Sequence, residues 1–216
     1  MADRPILFSG AMVRAILDSK KTQTRRVIDE RTREELRAAA AIGEIFGLPE
    51  GGAVDPRDLD YILPFCRHGK PGDRLWVRET WYCDDYRVKR GPYLKPDDLD
   101  VDEAREHGTL VYAADGLDPY EAEQPIWRPS IHMPRWASRI TLEITGVRAE
   151  RLNDCSEADA RAEGVRGWST TGGDGYEDDG QTAREQFVDL WNGINGAGAW
   201  HANPWVWVVE FRRAAP

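Results

Sequence analysis

The chain has 216 residues and a mass of 24.5 kDa, the size of one domain or of one domain with insertions. Hydrophobic residues make up 41% and charged residues 31%, which excludes a collagen, a coiled coil and a wholly disordered chain. The net charge of −9 excludes a general polyanion binder, and no apolar run approaches the roughly 18 residues of a membrane span.

The N-terminus, Met-Ala-Asp-Arg-Pro, has no apolar leader core, and Cys66, Cys83 and Cys155 form no CxxC. Both features predict a cytoplasmic protein with reduced thiols. The acidity is concentrated. Residues 84–124 carry twelve acids and five bases, and residues 172–181 carry four acids and no base. Residues 14–26 (RAILDSKKTQTRR) have five bases against one acid, a local basic site that fits a small polar or anionic ligand or a short nucleic-acid contact.

In chain order, Ser9 predicts a helix cap, and Met12, Val13, Ile16 and Leu17 then recur at helical spacing. Residues 29–43 have helical propensity and a polar surface, and 47–57 read as loop. Pro71-Gly72-Asp73 predicts a turn into a strand at Leu75-Trp76-Val77. An acidic excursion follows over 84–108, with a short strand at 110–114. Ile140, Leu142, Ile144 and Val147 alternate with polar residues and predict a half-buried strand over 138–149.

Ser156 and Asp159 form a capping box for a helix over 156–163, and Gly164 stops it. Residues 166–180 read as a Gly-rich acidic loop. Residues 182–194 predict a helix with Phe187, Val188, Leu190, Trp191 and Ile194 on one side. Residues 205–211 (WVWVVEF) predict a central strand. No repeat and no linker between two cores is visible. The order predicts one α+β domain over 1–216 with a small, strongly curved sheet or barrel.

The residues that carry chemistry are few. The four histidines are scattered without zinc spacing, so neither metal nor cofactor is expected. Lys21 and Thr24 lie three positions apart in a turn or short strand. Burial and the neighbours Lys20, Arg25 and Arg26 would depress the lysine pKa, and such a lysine can take the proton of a threonine nucleophile. Helix-end lysines and strand threonines are also ordinary structural features. Glu163 ends the 156–163 helix, where the dipole disfavours a carboxylate and suits it to general acid–base work. A solvated helix glutamate is the plain alternative. Among nine tryptophans, Trp76, Trp191, Trp205 and Trp207 are expected in the core. Trp81, Trp127, Trp136 and Trp168 lie near turns and are candidates for stacking on a base.

Lys21-x-x-Thr24-x-Arg26 after a short helix resembles the signature of ASCH-domain proteins. Pro71-Gly72-Asp73-Arg74-Leu75, Arg139 to Val147, Leu152 to Gly164 and Val208-Val209-Glu210-Phe211 resemble, in order, that family's Gly-Asp turn, a barrel strand, its acidic helix and its closing strand. The run Trp127 to Arg139 is similar to longer members from phages and prophages. The resemblance covers about half the chain and leaves insertions at about 31–66, 84–126 and 166–200.

It implies a PUA-like small curved β-barrel with flanking helices. It also implies a metal-free amidohydrolase that removes an acyl group from N4-acylated cytidine, cytosine or a related modified nucleobase. Lys21 then falls on the general base, Thr24 on the nucleophile and Glu163 on the orienting carboxylate. Arg25 and Arg26 are expected to hold the oxyanion or the base carbonyl, and Trp81 or Trp136 to stack on the ring. Two alternatives stay open: a binding module for a modified base in RNA or single-stranded DNA, and a ribonuclease using His132 or His201.

Overall fold

A computed structural model of the chain describes residues 1–48, 54–88, 91–116, 127–168 and 180–214. The strands and helices in chain order are β1 (Asp3–Leu7), α1 (Gly10–Leu17), β2 (Gln23–Val27), α2 (Glu30–Ala41), α3 (Leu59–Ile62), β3 (Arg74–Arg78), β4 (Trp81–Cys83), α4 (Val101–Glu106), β5 (Leu110–Tyr112), β6 (Thr141–Arg151), α5 (Glu157–Ala162), α6 (Ala183–Asn195) and β7 (Trp205–Arg213). The class is α+β. A mixed five-stranded sheet has the order β1-β3-β6-β7-β2, and β4 pairs with β5 in a second, small sheet. The order ends at β1 on one side and β2 on the other, so among the described residues the five strands form an open sheet and not a closed barrel.

The chain divides into two compact units, each discontinuous in sequence. The first comprises 1–18, 73–143 and 213–216. Here β1 runs parallel to β3, from Asp3 opposite Arg74 to Leu7 opposite Arg78, and β3 runs antiparallel to the start of β6. Ser9 caps α1 by accepting from the Met12 N–H, and Val13 and Ile16 are buried one turn apart. A core of Trp81, Cys83, Val88, Ala104, Leu110, Tyr112, Met133 and Ala137 surrounds the β4–β5 pair. The acidic excursion therefore contributes structure of its own, including α4 and β5.

The second unit comprises 19–72 and 144–212. Here β2 runs antiparallel to β7, from Gln23 opposite Glu210 to Val27 opposite Val206. β7 is central, as its apolar run requires: Trp205 to Val209 are all buried. Val206 and Val208 pack with Ala183, Phe187 and Trp191 of α6, and with Leu152, Cys155, Ala160 and Trp200. Each large side chain in that cluster contributes about 1.5–3 kcal/mol on burial. The chain passes between the units at 18/19, 72/73, 143/144 and 212/213, the last two inside β6 and β7, so no linker marks them in the sequence.

Three local expectations shift. α2 is a surface helix that nonetheless buries Thr32, Leu36 and Ala39, a stripe at i, i+4 and i+7. In α6 the buried stripe is Ala183, Phe187 and Trp191. Ile194 is 58% exposed because the last turn runs on into an exposed stretch over 193–198. β6 begins later and runs further than its alternation predicts. Val147 is only half-buried and Ala149 is buried, so the inward parity changes along the strand. Most of the predicted 166–180 loop lies outside the described residues.

Candidate functional site

α5 sets the position of the central carboxyl group. Its capping box is complete: the Ser156 hydroxyl accepts from the Asp159 N–H, and the Asp159 carboxylate accepts from the Ser156 N–H. Glu163 is the C-cap, with φ −71° and ψ −7°. Gly164 follows at φ +94°, a left-handed conformation that glycine adopts without Cβ strain. Gly164 N–H donates to the Arg161 carbonyl and Val165 N–H to the Ala160 carbonyl, the paired bonds of a Schellman stop. The stop fixes where the Glu163 side chain leaves the helix.

Lys21 meets that residue across 142 positions of sequence. Its Nζ donates to the Glu163 carboxylate at 2.7 Å and to the Glu163 backbone carbonyl at 2.9 Å. The backbones pair as an isolated antiparallel bridge at the same two residues, beside a Thr22 N–H bond to the Ala162 carbonyl at 2.8 Å. A cation at a helix C-terminus meets the negative end of the dipole, so the carbonyl contact is favourable in its own right. The Lys21 side chain is fully buried and that of Glu163 nearly so. Burial drives the Lys21 pKa below its ordinary value. Glu163 pulls it back up, and the positive charges of Arg26 and Arg25 add to the lowering.

Arg25 closes the carboxylate from its other oxygen. Its Nη1 donates to Glu163 Oε1 at 3.1 Å, and its Nη2 donates to Glu150 at 2.6 Å and lies 3.4 Å from Asp159. The guanidinium has no exposed surface and stands 5.8 Å from the centre of the Phe187 ring. Its Nε is buried with no hydrogen-bond partner among the described residues. Asp159 also accepts from Gln23 Nε2 at 3.1 Å and Arg148 Nη2 at 2.8 Å. Arg148 continues to Glu150 and to Glu210 on β7. The site is thus the inner end of an ionic chain that runs from Lys21 to a half-exposed Glu210.

Thr24 lies opposite Val209 in the β2–β7 ladder and is buried. Strand alternation puts it on the face opposite Gln23 and Arg25, with Arg26. Arg26 is half-buried. Burial lowers its pKa, Glu163 acts against that and Arg67 adds to it, so this face lies within electrostatic reach of the same carboxylate. No hydrogen bond joins Thr24 to Lys21 among the described residues.

The structure therefore brings Lys21, Glu163 and Arg25 into direct contact and seats Thr24 and Arg26 on the adjoining strand. Arg25 does not have the role the sequence offered it: its guanidinium is taken up by three carboxylates and turned away from solvent. Of the four candidate stacking tryptophans, Trp81, Trp127 and Trp136 belong to the first unit and Trp168 to the second, where it is 47% exposed. Trp81 is fully enclosed, edge-on to Tyr93 at 5.7 Å and to Trp136 at 5.8 Å, and presents no face to a base. Trp136 is half-buried and donates its indole N–H to the Tyr93 carbonyl at 2.9 Å. A position near a turn misleads here because the β4–β5 pair carries a core of its own.

Sequence reading missed Glu150, Arg148 and Gln23, and it saw Asp159 only as a cap. Arg148 and Glu150 sit two apart on β6, the spacing of one strand face, and that is the signal available for them. Among the described residues no group of three or more His, Cys, Asp or Glu side chains is arranged to hold a metal ion, and no helix is long and apolar enough to cross a membrane. No family model, no curated protein and no solved structure matches the chain.

Proposed function

We propose that the chain is a metal-free amidohydrolase of the ASCH type, with a PUA-like sheet, acting on an N4-acylated cytidine, cytosine or related modified nucleobase. The observation that carries this reading is a fully buried lysine, its pKa depressed by burial, held by a helix-capping glutamate and followed three residues on by a buried strand threonine. A lysine whose charged form is disfavoured is a usable base near neutral pH, and a hydroxyl needs such a base to attack an amide.

The residues divide the work as follows. The neutral Lys21 amine takes the Thr24 proton while Thr24 Oγ1 bonds to the acyl carbonyl carbon. The oxyanion faces Arg26, whose fixed charge stabilises it. The carbon–nitrogen bond then breaks, and the Lys21 ammonium returns its proton to the departing amine of the base. An acyl ester remains on Thr24. Water, deprotonated by Lys21, attacks that ester, releases the carboxylic acid and restores the hydroxyl. Glu163 holds Nζ in one place throughout.

The basic 14–26 segment also bears on the choice between this reading and a polymer-binding module. Lys21 and Arg25 are turned inward onto Glu163, so two of its five bases are not offered to a phosphate backbone. The test is deacylation of N4-acetylcytidine by the wild type and by Lys21→Ala and Thr24→Val, with an N4-acetylated oligonucleotide as a second substrate. Loss of the base is expected to lower turnover by about 10²–10⁴-fold. Equal turnover by wild type and Lys21→Ala removes the mechanism.

A further inference from the structure

The Arg25 guanidinium is enclosed, carries three carboxylate contacts and touches the same Glu163 carboxylate as Lys21, through the other oxygen. It sits on the strand that carries Thr24, four residues from Lys21. We propose that Arg25 is a positioning residue that divides the charge of Glu163. By occupying Oε1 it leaves Lys21 the other carboxylate oxygen, beside the Glu163 backbone carbonyl, and only part of the carboxylate's field. The proposal rests on the amidohydrolase reading for its purpose, but its physical content is independent of substrate.

The reason lies in what the pair would be without it. A lysine 2.7 Å from a lone buried carboxylate is stabilised as ammonium, because opposite charges interact strongly where water is excluded. An ammonium cannot accept the Thr24 proton. Arg25 acts against this twice: its own positive charge disfavours a second cation nearby, and its bond to Oε1 draws on the same negative charge. The groups facing this centre are Asp159 of α5 and its C-cap Glu163, Glu150 and Arg148 from β6, Glu210 from β7, the buried Cys155, and Arg26 on β2 with Arg67 in electrostatic reach of it. Glu150 and Asp159 hold the Arg25 Nη2 atom, so the guanidinium cannot swing off Glu163 without leaving two carboxylates behind.

The experiment reads Lys21 directly. The chain has five lysines, Lys20, Lys21, Lys70, Lys89 and Lys95, so the labelled side-chain signals can be assigned by comparison with Lys21→Arg. The Lys21 titration midpoint is measured by NMR in the wild type, Arg25→Gln, Arg25→Met and Arg25→Lys. Gln and Met both remove the charge, and Met keeps an apolar stem beside Phe187, so one of them serves if the other fails to fold.

Removing the charge is expected to raise the midpoint by about one unit, a roughly tenfold smaller neutral fraction at a given pH. Arg25→Lys restores most of it. In the deacylation assay kcat falls with KM unchanged in the neutral variants, and activity recovers as the pH is raised. A midpoint that stays put or falls on loss of the charge overturns the proposal, as does Arg25→Lys behaving like Arg25→Gln. A wild type that fails to deacylate any substrate counts against the enzymatic reading alone, because the titration still decides whether Arg25 divides the charge.

Discussion

Replacing Glu163 by glutamine gives the Lys21 amine and the enclosed Arg25 guanidinium a neutral partner in place of the carboxylate. Breaking a buried pair from one side costs about 3–5 kcal/mol where the remaining charge is uncompensated, and the lower end applies here because Glu150 and Asp159 still hold Arg25 and the Lys21 amine can give up its proton. The reverse change, Lys21→Met, is milder. Arg25 still holds Glu163 Oε1, so the loss is the Lys21 bond to the carboxylate, about 1.5–3 kcal/mol, and the weaker one to the backbone carbonyl, partly offset because the amine no longer has to be desolvated. If the two residues act as a pair, the double variant falls short of the sum of the singles by about 0.5–3 kcal/mol. Urea denaturation followed by tryptophan fluorescence measures all four corners of the cycle. A double variant that equals the sum to within about 0.5 kcal/mol refutes the contact, since that is the behaviour of distant, independent sites.

Two further outcomes follow from neighbouring features. Burial works to raise the Asp159 pKa, but the hydrogen bonds from Ser156 and Gln23 and the charge of Arg25 overcome it and hold the carboxyl well below the usual range. Its stabilising contribution is therefore complete above the ordinary carboxylate pKa of about 3.9 and is lost as the pH falls toward the lower folded value. Wild type should lose more stability between pH 5 and about pH 2.5 than Asp159→Asn does, measured by urea midpoint, and equal losses would count against the assignment. Gly167 has φ +70°, and a Cβ there would lie 2.7 Å from the Gln181 carbonyl oxygen. Gly167→Ala is expected to destabilise by about 1–3 kcal/mol, and a neutral effect would show that the Gly167–Gln181 neck relaxes.

Most of the second unit is legible in the sequence. The capping boxes, the glycine stop after Glu163 and the apolar run of β7 are local signals, and local signals are what composition and spacing record. β1 was not legible, because only Ile6 of its five residues is buried and the strand has no alternation to read. The small sheet of the first unit was partly hidden for the same reason: β4 and β5 are three residues each, too short for a period to show. In the site, Lys21 and Glu163 stand out in the local pattern, and the structure brings them together. The use of Arg25 does not follow from it, because adjacent arginines look alike in sequence and strand alternation sends them to opposite faces. Which face carries carboxylates depends on β6 and α5, more than a hundred positions away.

Lys21 holds both the carbonyl and the carboxyl of one residue, and that residue is the C-cap of a six-residue helix. Its two acceptors therefore come and go together. Unwinding so short a segment by one turn would release the ammonium from both at once, and the segment's winding depends on Ser156 at its far end. An exposed hydroxyl at one end of α5 thus helps to hold the two acceptors of a buried amine at the other. A screen of variants around Lys21 should include α5 from end to end as well as β2.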